Sequence, residues 1–164
     1  MAGNSTAKKP MPAAKSEAPA APPLAGTRCF IDTNILAYAD SPDEPTKQRQ
    51  AINLIKLLRD AQAGVISTQV INEYCNVALN KLKLPHPNVR ARLQFWQQFE
   101  VCLVTPEIIA QALDLHQTRS ISYYDALIVA SAQTAGCTVL YSEDMNVGEM
   151  MNGVRMVNPF SEVK

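Results

Sequence analysis

The stretch RCFIDTNILAY, residues 28–38, sets the problem that the rest of the chain answers. A short apolar run, Cys29-Phe30-Ile31, meets the polar triplet Asp32-Thr33-Asn34 and then turns apolar again. Arg28 to Ile31 reads as a short buried strand, and Asp32 closes it. A carboxylate at that seam has two readings. It could cap the following turn, since Asp is a preferred cap, or it could belong to a site built at the end of the strand.

Outward from the triplet, strand and helix patterns alternate. Residues 47–62 place Ile52, Leu54, Ile55 and Leu58 at helical spacing. Gly64 punctuates before the short strand VIST, and Ser67 or Thr68 can cap a helix striped by Val70, Tyr74, Val77 and Ala78. LKLPHPN, residues 82–88, reads as a loop because Pro85 and Pro87 forbid helix continuation. Helical spacing resumes over 88–99, and VCLV, 101–104, reads as a strand. Thr105-Pro106 opens the next helix. Ser122 to Asp125 resembles a capping box for a further helix that runs to Gly136. CTVLYS and VRMVNPF supply two last strands. Strands separated by helices predict an α/β protein, a three-layer α/β/α sandwich with a mainly parallel central sheet.

The chain has 164 residues and 47% hydrophobic content, which suits one core. Residues 1–26, rich in Ala, Pro and Lys, lack the apolar groups needed to offset ordering entropy and read as a disordered tail. The folded domain is therefore expected over 27–164. Basic and acidic groups balance at 15 each, with a net of +2 in the tail and −2 in the remainder. Bulk positive charge is thus not the means of holding a polyanion. The lysines of the tail precede no sustained apolar run, and no segment approaches 18 uninterrupted apolar residues, so the expectation is a soluble, cytoplasmic protein. Cys29, Cys75, Cys102 and Cys137 form no C-x-x-C pair and read as buried thiols. His86 and His116 have no partner motif and read as a loop and a helix-face residue.

Ligands of open α/β sheets bind outside the carboxyl ends of the strands. Four acids fall there by this assignment: Asp32 after the first strand, Glu73 in the helix after the second, Asp125 in the first turn of its helix, and Asp144 directly after CTVLYS. Singly, each has an ordinary reading as a cap, a solvated helix residue or a turn residue. Together, crowded carboxylates repel one another and raise each other's pKa unless a cation sits between them. Mg²⁺ or Mn²⁺, with its demand for oxygen ligands, answers that problem and suits a phosphodiester substrate.

The blocks FIDTNILAYA (30–39), VISTQVINEYCNVA (65–78), SYYDALIVASAQTAGCTVLYSEDM (122–145) and GVRMVNPF (153–160) together resemble the PIN-domain family, and within it the VapC-like toxin ribonucleases. The resemblance covers about residues 28–160. It implies a Mg²⁺- or Mn²⁺-dependent endoribonuclease whose four acids are Asp32, Glu73, Asp125 and Asp144. It also implies supporting roles for Asn34 and Ser142, a small antitoxin as partner, and a homodimer formed through helices beside the site, for which the apolar helix 47–62 is one candidate, although its stripe reads first as buried core. Glu143, between the last two site residues, reads as solvent-facing. Arg119, Lys81, Lys83, Arg90 and Arg92 are candidate RNA contacts, and Tyr123 or Tyr124 could stack a base. Two other classes stay open. One is a PIN-like module that binds RNA or protein without turnover. The other is a phosphatase or phospho-accepting domain, against which IDTN lacks a D-x-D and CTVLYSED lacks a following lysine.

Overall fold

A computed structural model of the chain describes residues 26–161, so the tail expected over 1–26 lies, but for Gly26, outside the described residues. Among the described residues, six strands form one sheet in the order β3-β2-β1-β4-β6-β5. These are β1 (Cys29–Ile31), β2 (Gly64–Ser67), β3 (Glu100–Cys102), β4 (Val139–Tyr141), β5 (Met150–Met151) and β6 (Val154–Val157). All pairings are parallel except β5 with β6. The helices are α1 (Thr33–Ala39), α2 (Pro45–Asp60), α3 (Thr68–Asn80), α4 (His86–Trp96), α5 (Pro106–Arg119) and α6 (Tyr123–Thr134). One group packs α1 on α2 and α3, with α4 against α3; the other is the α5–α6 pair, with α6 seated on β2 and β6. The arrangement is the expected three-layer sandwich.

The core follows from the patterns. In β1 and β2 every residue is buried, as strands covered on both faces require. The stripe of α2 (Ala51, Leu54, Ile55, Leu58) is buried in the core, so those side chains are not available to a second copy. The middle of α6, Ala126 to Ala132, is buried on all sides. Ser67 caps α3 through Val70 N–H (3.2 Å), and Ser122 caps α6 through Asp125 N–H (3.1 Å). Among the described residues, no helix is long and apolar enough to cross a membrane.

Three local features differ from expectation. The residues after Asp32 form a helix, α1, of seven residues, too short for periodicity to announce. Helix α4 starts at His86, because Pro87 sits in its first turn, where no backbone donor is needed. A sixth strand, β5, pairs back on β6 through Asn152-Gly153, both at positive φ (49° and 83°). That dipeptide is the two-residue hairpin signal, which a strand of two residues is too short to accompany with a pattern.

Gly64 opens β2 against the Trp96, Phe95 and Phe99 aromatic cluster. A Cβ at this position would lie 2.5 Å from Cδ1 and 2.7 Å from Cε1 of Phe99. Phe99 is itself buried and boxed by those rings, so it has little room to give. Gly64→Ala is expected to destabilise the fold by about 1–3 kcal/mol, read as a lower midpoint in urea denaturation.

Candidate active site

The strand order places the site. From β1 the chain moves outward on one side through β2 and β3, then returns to lay β4 on the other side of β1. The crevice where neighbouring strands lead their connections apart is where open α/β sheets bind ligands. Ile31 pairs with Tyr141, so the residues that follow, Asp32 and Ser142, leave the sheet side by side.

Asp32 is only 6% exposed. Its Oδ1 accepts the N–H of Thr33 (2.6 Å), which caps α1, and its Oδ2 accepts the hydroxyl of Ser142 (2.7 Å) and the amide of Asn34 (3.2 Å). Every one of these donors is neutral. Burial pushes the Asp32 carboxyl up to about 6, and the charges of Glu73 and Asp144 add to that, while the Ser142 and Thr33 bonds oppose it.

Asn34 joins the two ends of the cluster. Its amide donates to Asp144 Oδ2 (3.0 Å) as well as to Asp32 and to Ser142 Oγ (3.3 Å), and its carbonyl accepts the N–H of Glu143 (3.4 Å). Ser142 Oγ in turn accepts the N–H of Asp144 (3.2 Å). Glu73, on α3, is held from both sides: Thr33 Oγ1 donates to Oε2 (2.8 Å) and Gln69 Nε2 to Oε1 (2.9 Å). Gln69 also reaches the carbonyl of Tyr124 (3.4 Å), next to Asp125 on α6. Asp32, Glu73, Asp125 and Asp144 line one cleft of about 410 Å³, together with Asn34, Lys81, Tyr124 and Glu143.

Thr33 and Gln69 were not foreseen as parts of the site. Thr33 sits inside the quoted triplet, and Gln69 lies one helical turn before Glu73, a spacing that puts both on one face. Glu143 departs from its solvent-facing reading. It lines the cleft and accepts bonds from Lys47 Nζ (2.6 Å) and from the Tyr38 hydroxyl. Burial pushes the Glu143 carboxyl up, but the bonds from Lys47 and Tyr38 outweigh it and leave it below its ordinary value.

The basic candidates separate. Lys81, just past α3, lines the acidic cleft. Lys83 and Arg90 are exposed outside its lining. Arg92 is ion-paired with the nearly buried carboxylate of Asp40, which also accepts the Tyr74 hydroxyl (2.6 Å). Arg119 lines a different depression, beside Gln111, Thr118, Gln133 and Asn152. Nearness to Asp125 in sequence does not fix the face of α5 from which Arg119 leaves. Tyr123 packs against the core, whereas Tyr124 is 63% exposed at the cleft.

Among the described residues, no three Asp, Glu, His or Cys side chains converge as a ready cage for an ion. The carboxylates stand apart, and those of Asp32, Glu73 and Asp144 are held by the neutral donors just described. The donor set still fits Mg²⁺ or Mn²⁺. It offers hard oxygen ligands in an open cleft, and Mg²⁺ keeps several waters and needs only one or two carboxylates directly. A buried, like-charged Asp32 bonded only to neutral donors is the environment that a cation would relieve.

Comparison with known proteins bears on the family and the fold. The PIN domain family model matches residues 29–150. No curated protein sequence matches the chain. Among solved structures, a toxin–antitoxin complex from Klebsiella pneumoniae is similar with a TM-score of 0.61 at 19% identity, over 82% of this chain and 99% of that one. VapBC2 from Rickettsia felis, bound to a DNA fragment from its promoter, is similar with a TM-score of 0.58 at 18% identity, over 79% of this chain and 97% of that one. Mycobacterium tuberculosis VapC20, a sarcin–ricin loop cleaving toxin, is similar with a TM-score of 0.55 at 18% identity, over 71% and 89%. At these identities the likeness establishes the shared fold.

In the metal-free protein Asp32 titrates near 6 when folded, against 3.8 as its ordinary value. Folding then takes up a proton between those values, so this group's contribution to stability falls as pH rises through the window and stays reduced above it. Added Mg²⁺ is expected to raise the melting temperature clearly at pH 7 and little at pH 5. Thermal denaturation of wild type beside Asp32→Asn checks this, since the variant should lose both the pH window and most of the response to Mg²⁺.

Proposed function

The chain belongs to the PIN domain family, and from that premise and the acidic cleft we propose that it is a Mg²⁺- or Mn²⁺-dependent endoribonuclease, the toxin of a type II toxin–antitoxin pair. The observation that carries the reading is the convergence of Asp32, Glu73, Asp125 and Asp144 on one cleft at the sheet's switch point. The neutral clamp of Ser142 and Asn34 on Asp32 and Asp144 adds to it.

Asp32, Asp125 and Asp144 would hold the ion, directly or through water, and Glu73 would complete the set. Bound there, the ion would polarise a phosphodiester and bring the pKa of a water low enough for attack. The protein's own part is orientation. Ser142 and Asn34 fix the direction of the Asp32 and Asp144 carboxylates, as partners behind metal ligands do. Glu73, gripped by Thr33 and Gln69, is set to orient the attacking water or to accept its proton. Lys81 is the basic residue of the cleft and meets a substrate phosphate in this reading, while the exposed Tyr124 ring offers a base a stacking surface. Lys83 and Arg90, outside the lining, would reach only a longer RNA, and Arg119 only one that extends to its separate depression. Arg92 is committed to Asp40 and is the weakest candidate.

The toxin assignment is supported by the structures of similar fold, two of which are toxin–antitoxin complexes by description. A small antitoxin closing the cleft, and a homodimer, follow as parts of the same proposal. So does a division into a tail over 1–26 and one nuclease domain over 27–164.

Asp125→Asn preserves volume and removes one carboxylate. Purified wild type is expected to cleave RNA with Mg²⁺ or Mn²⁺ and to stop when EDTA is added. Asp125→Asn should lower the rate by at least about a hundredfold with an unchanged circular dichroism spectrum. Sequencing of RNA 5′ ends after induced expression of both proteins identifies the target. RNA binding without metal-dependent cleavage by wild type would instead establish a binding module.

A further inference from the structure

Glu143 raises a question that the four acids do not answer. It stands between Ser142 and Asp144, lines the same cleft, and is only 23% exposed, yet it is a fifth carboxylate that would compete for any cation there. Its charge is taken up elsewhere. Lys47 on α2 donates to Oε1 (2.6 Å), and the Tyr38 hydroxyl on α1 donates to Oε2. Lys47 also donates to the Tyr38 oxygen (3.2 Å) and lies 4.6 Å from the centroid of the Tyr38 ring. Phe160 packs edge-on against Tyr38 at 5.0 Å and covers the group from the chain's other end. The backbone N–H of Glu143 is meanwhile held by Asn34.

Two helices thus grip one residue of the segment that presents Ser142 and Asp144, α1 through Tyr38 and Asn34 and α2 through Lys47. Ser142 is the donor that orients Asp32, and Asp144 is exposed. Among the described residues the Asp144 carboxylate accepts one side-chain bond, from Asn34, so its direction otherwise follows that of this short segment after β4. We propose that Lys47 and Tyr38 are positioning residues for the metal site. By clamping Glu143 they turn its carboxylate away from the cation and hold the 142–144 segment at the angle that delivers Asp144. The inference rests on the metal-dependent reading above. Its geometry is separate from it, since neither Lys47 nor Tyr38 is among the proposed ligands.

The test is Mn²⁺ binding to the full-length protein by isothermal titration calorimetry, with circular dichroism and melting temperature as checks on folding. Lys47→Met and Glu143→Gln are each expected to weaken Mn²⁺ about tenfold, the scale of losing a partner that orients a metal ligand. Combining them should cost little more than either alone, because they act as one unit. Lys47→Arg should restore most of the affinity, and Tyr38→Phe, which removes only a hydroxyl, should give a smaller loss. In activity, the half-saturating Mn²⁺ concentration should rise while KM for RNA at saturating Mn²⁺ stays put, a split that general destabilisation would not produce. If wild type fails to bind Mn²⁺, the metal-dependent reading falls and this inference with it. If wild type binds and Lys47→Met binds equally or more tightly, this inference alone is overturned. Should Lys47→Met not fold, Tyr38→Phe decides on the same criteria.

Discussion

A carboxylate sealed at the mouth of a parallel sheet must find partners there, and the requirements of Asp32 organise everything around it. Burial of an ionised group is costly without hydrogen bonds, so Asp32 takes the N–H of Thr33, which starts α1, and the hydroxyl of Ser142, which follows β4. The first bond is local, but the second depends on β1 and β4 pairing with Ile31 opposite Tyr141. A slip of one residue would turn Ser142 to the other face of the sheet and leave Oδ2 without its shortest bond. The register of two strands and the geometry of the site are therefore one constraint.

Neutrality is the second theme. Asn34 offers donors without positive charge, so it can hold Asp32 and Asp144 in place without cancelling them. Thr33 and Gln69 do the same for Glu73. A lysine in any of these places would satisfy the acids and leave no electrostatic demand for a metal. The acid that does receive a lysine is Glu143, through Lys47, on the edge of the cluster. Charge is left uncompensated where chemistry is proposed and compensated next to it.

The helices carry the same logic into the packing. Asp40, at the end of α1, accepts from Tyr74 and pairs with Arg92, tying α1 to α3 and α4. Tyr74 immediately follows Glu73, so the tie that consumes the charge of Arg92 also steadies the turn of α3 that presents Glu73. A basic residue that looks available to RNA in the sequence is thus spent on holding an acid in position.

Much of this was legible from the chain alone. The alternation of strands and helices and the caps at Ser67, Thr105 and Ser122 rest on short-range rules of periodicity and end-capping, which a sequence displays directly; the four candidate acids stood out by their places near strand ends and by the family resemblance. Helix α1 and strand β5 escaped because seven and two residues hold too little pattern. What tertiary structure alone decided is which side chains meet across long separations. Thr33 reaches Glu73 forty positions away, and Ser142 reaches Asp32 across 110. Glu143 turned out to be clamped, Arg119 sits apart from the acids, and Lys81 lines the cleft. Each of these depends on strand order and on the face of a helix from which a residue leaves, and those are set by the packing of the whole core. The quoted triplet determined that a carboxylate would stand at the end of β1; only the return of β4 beside it determined what that carboxylate would face.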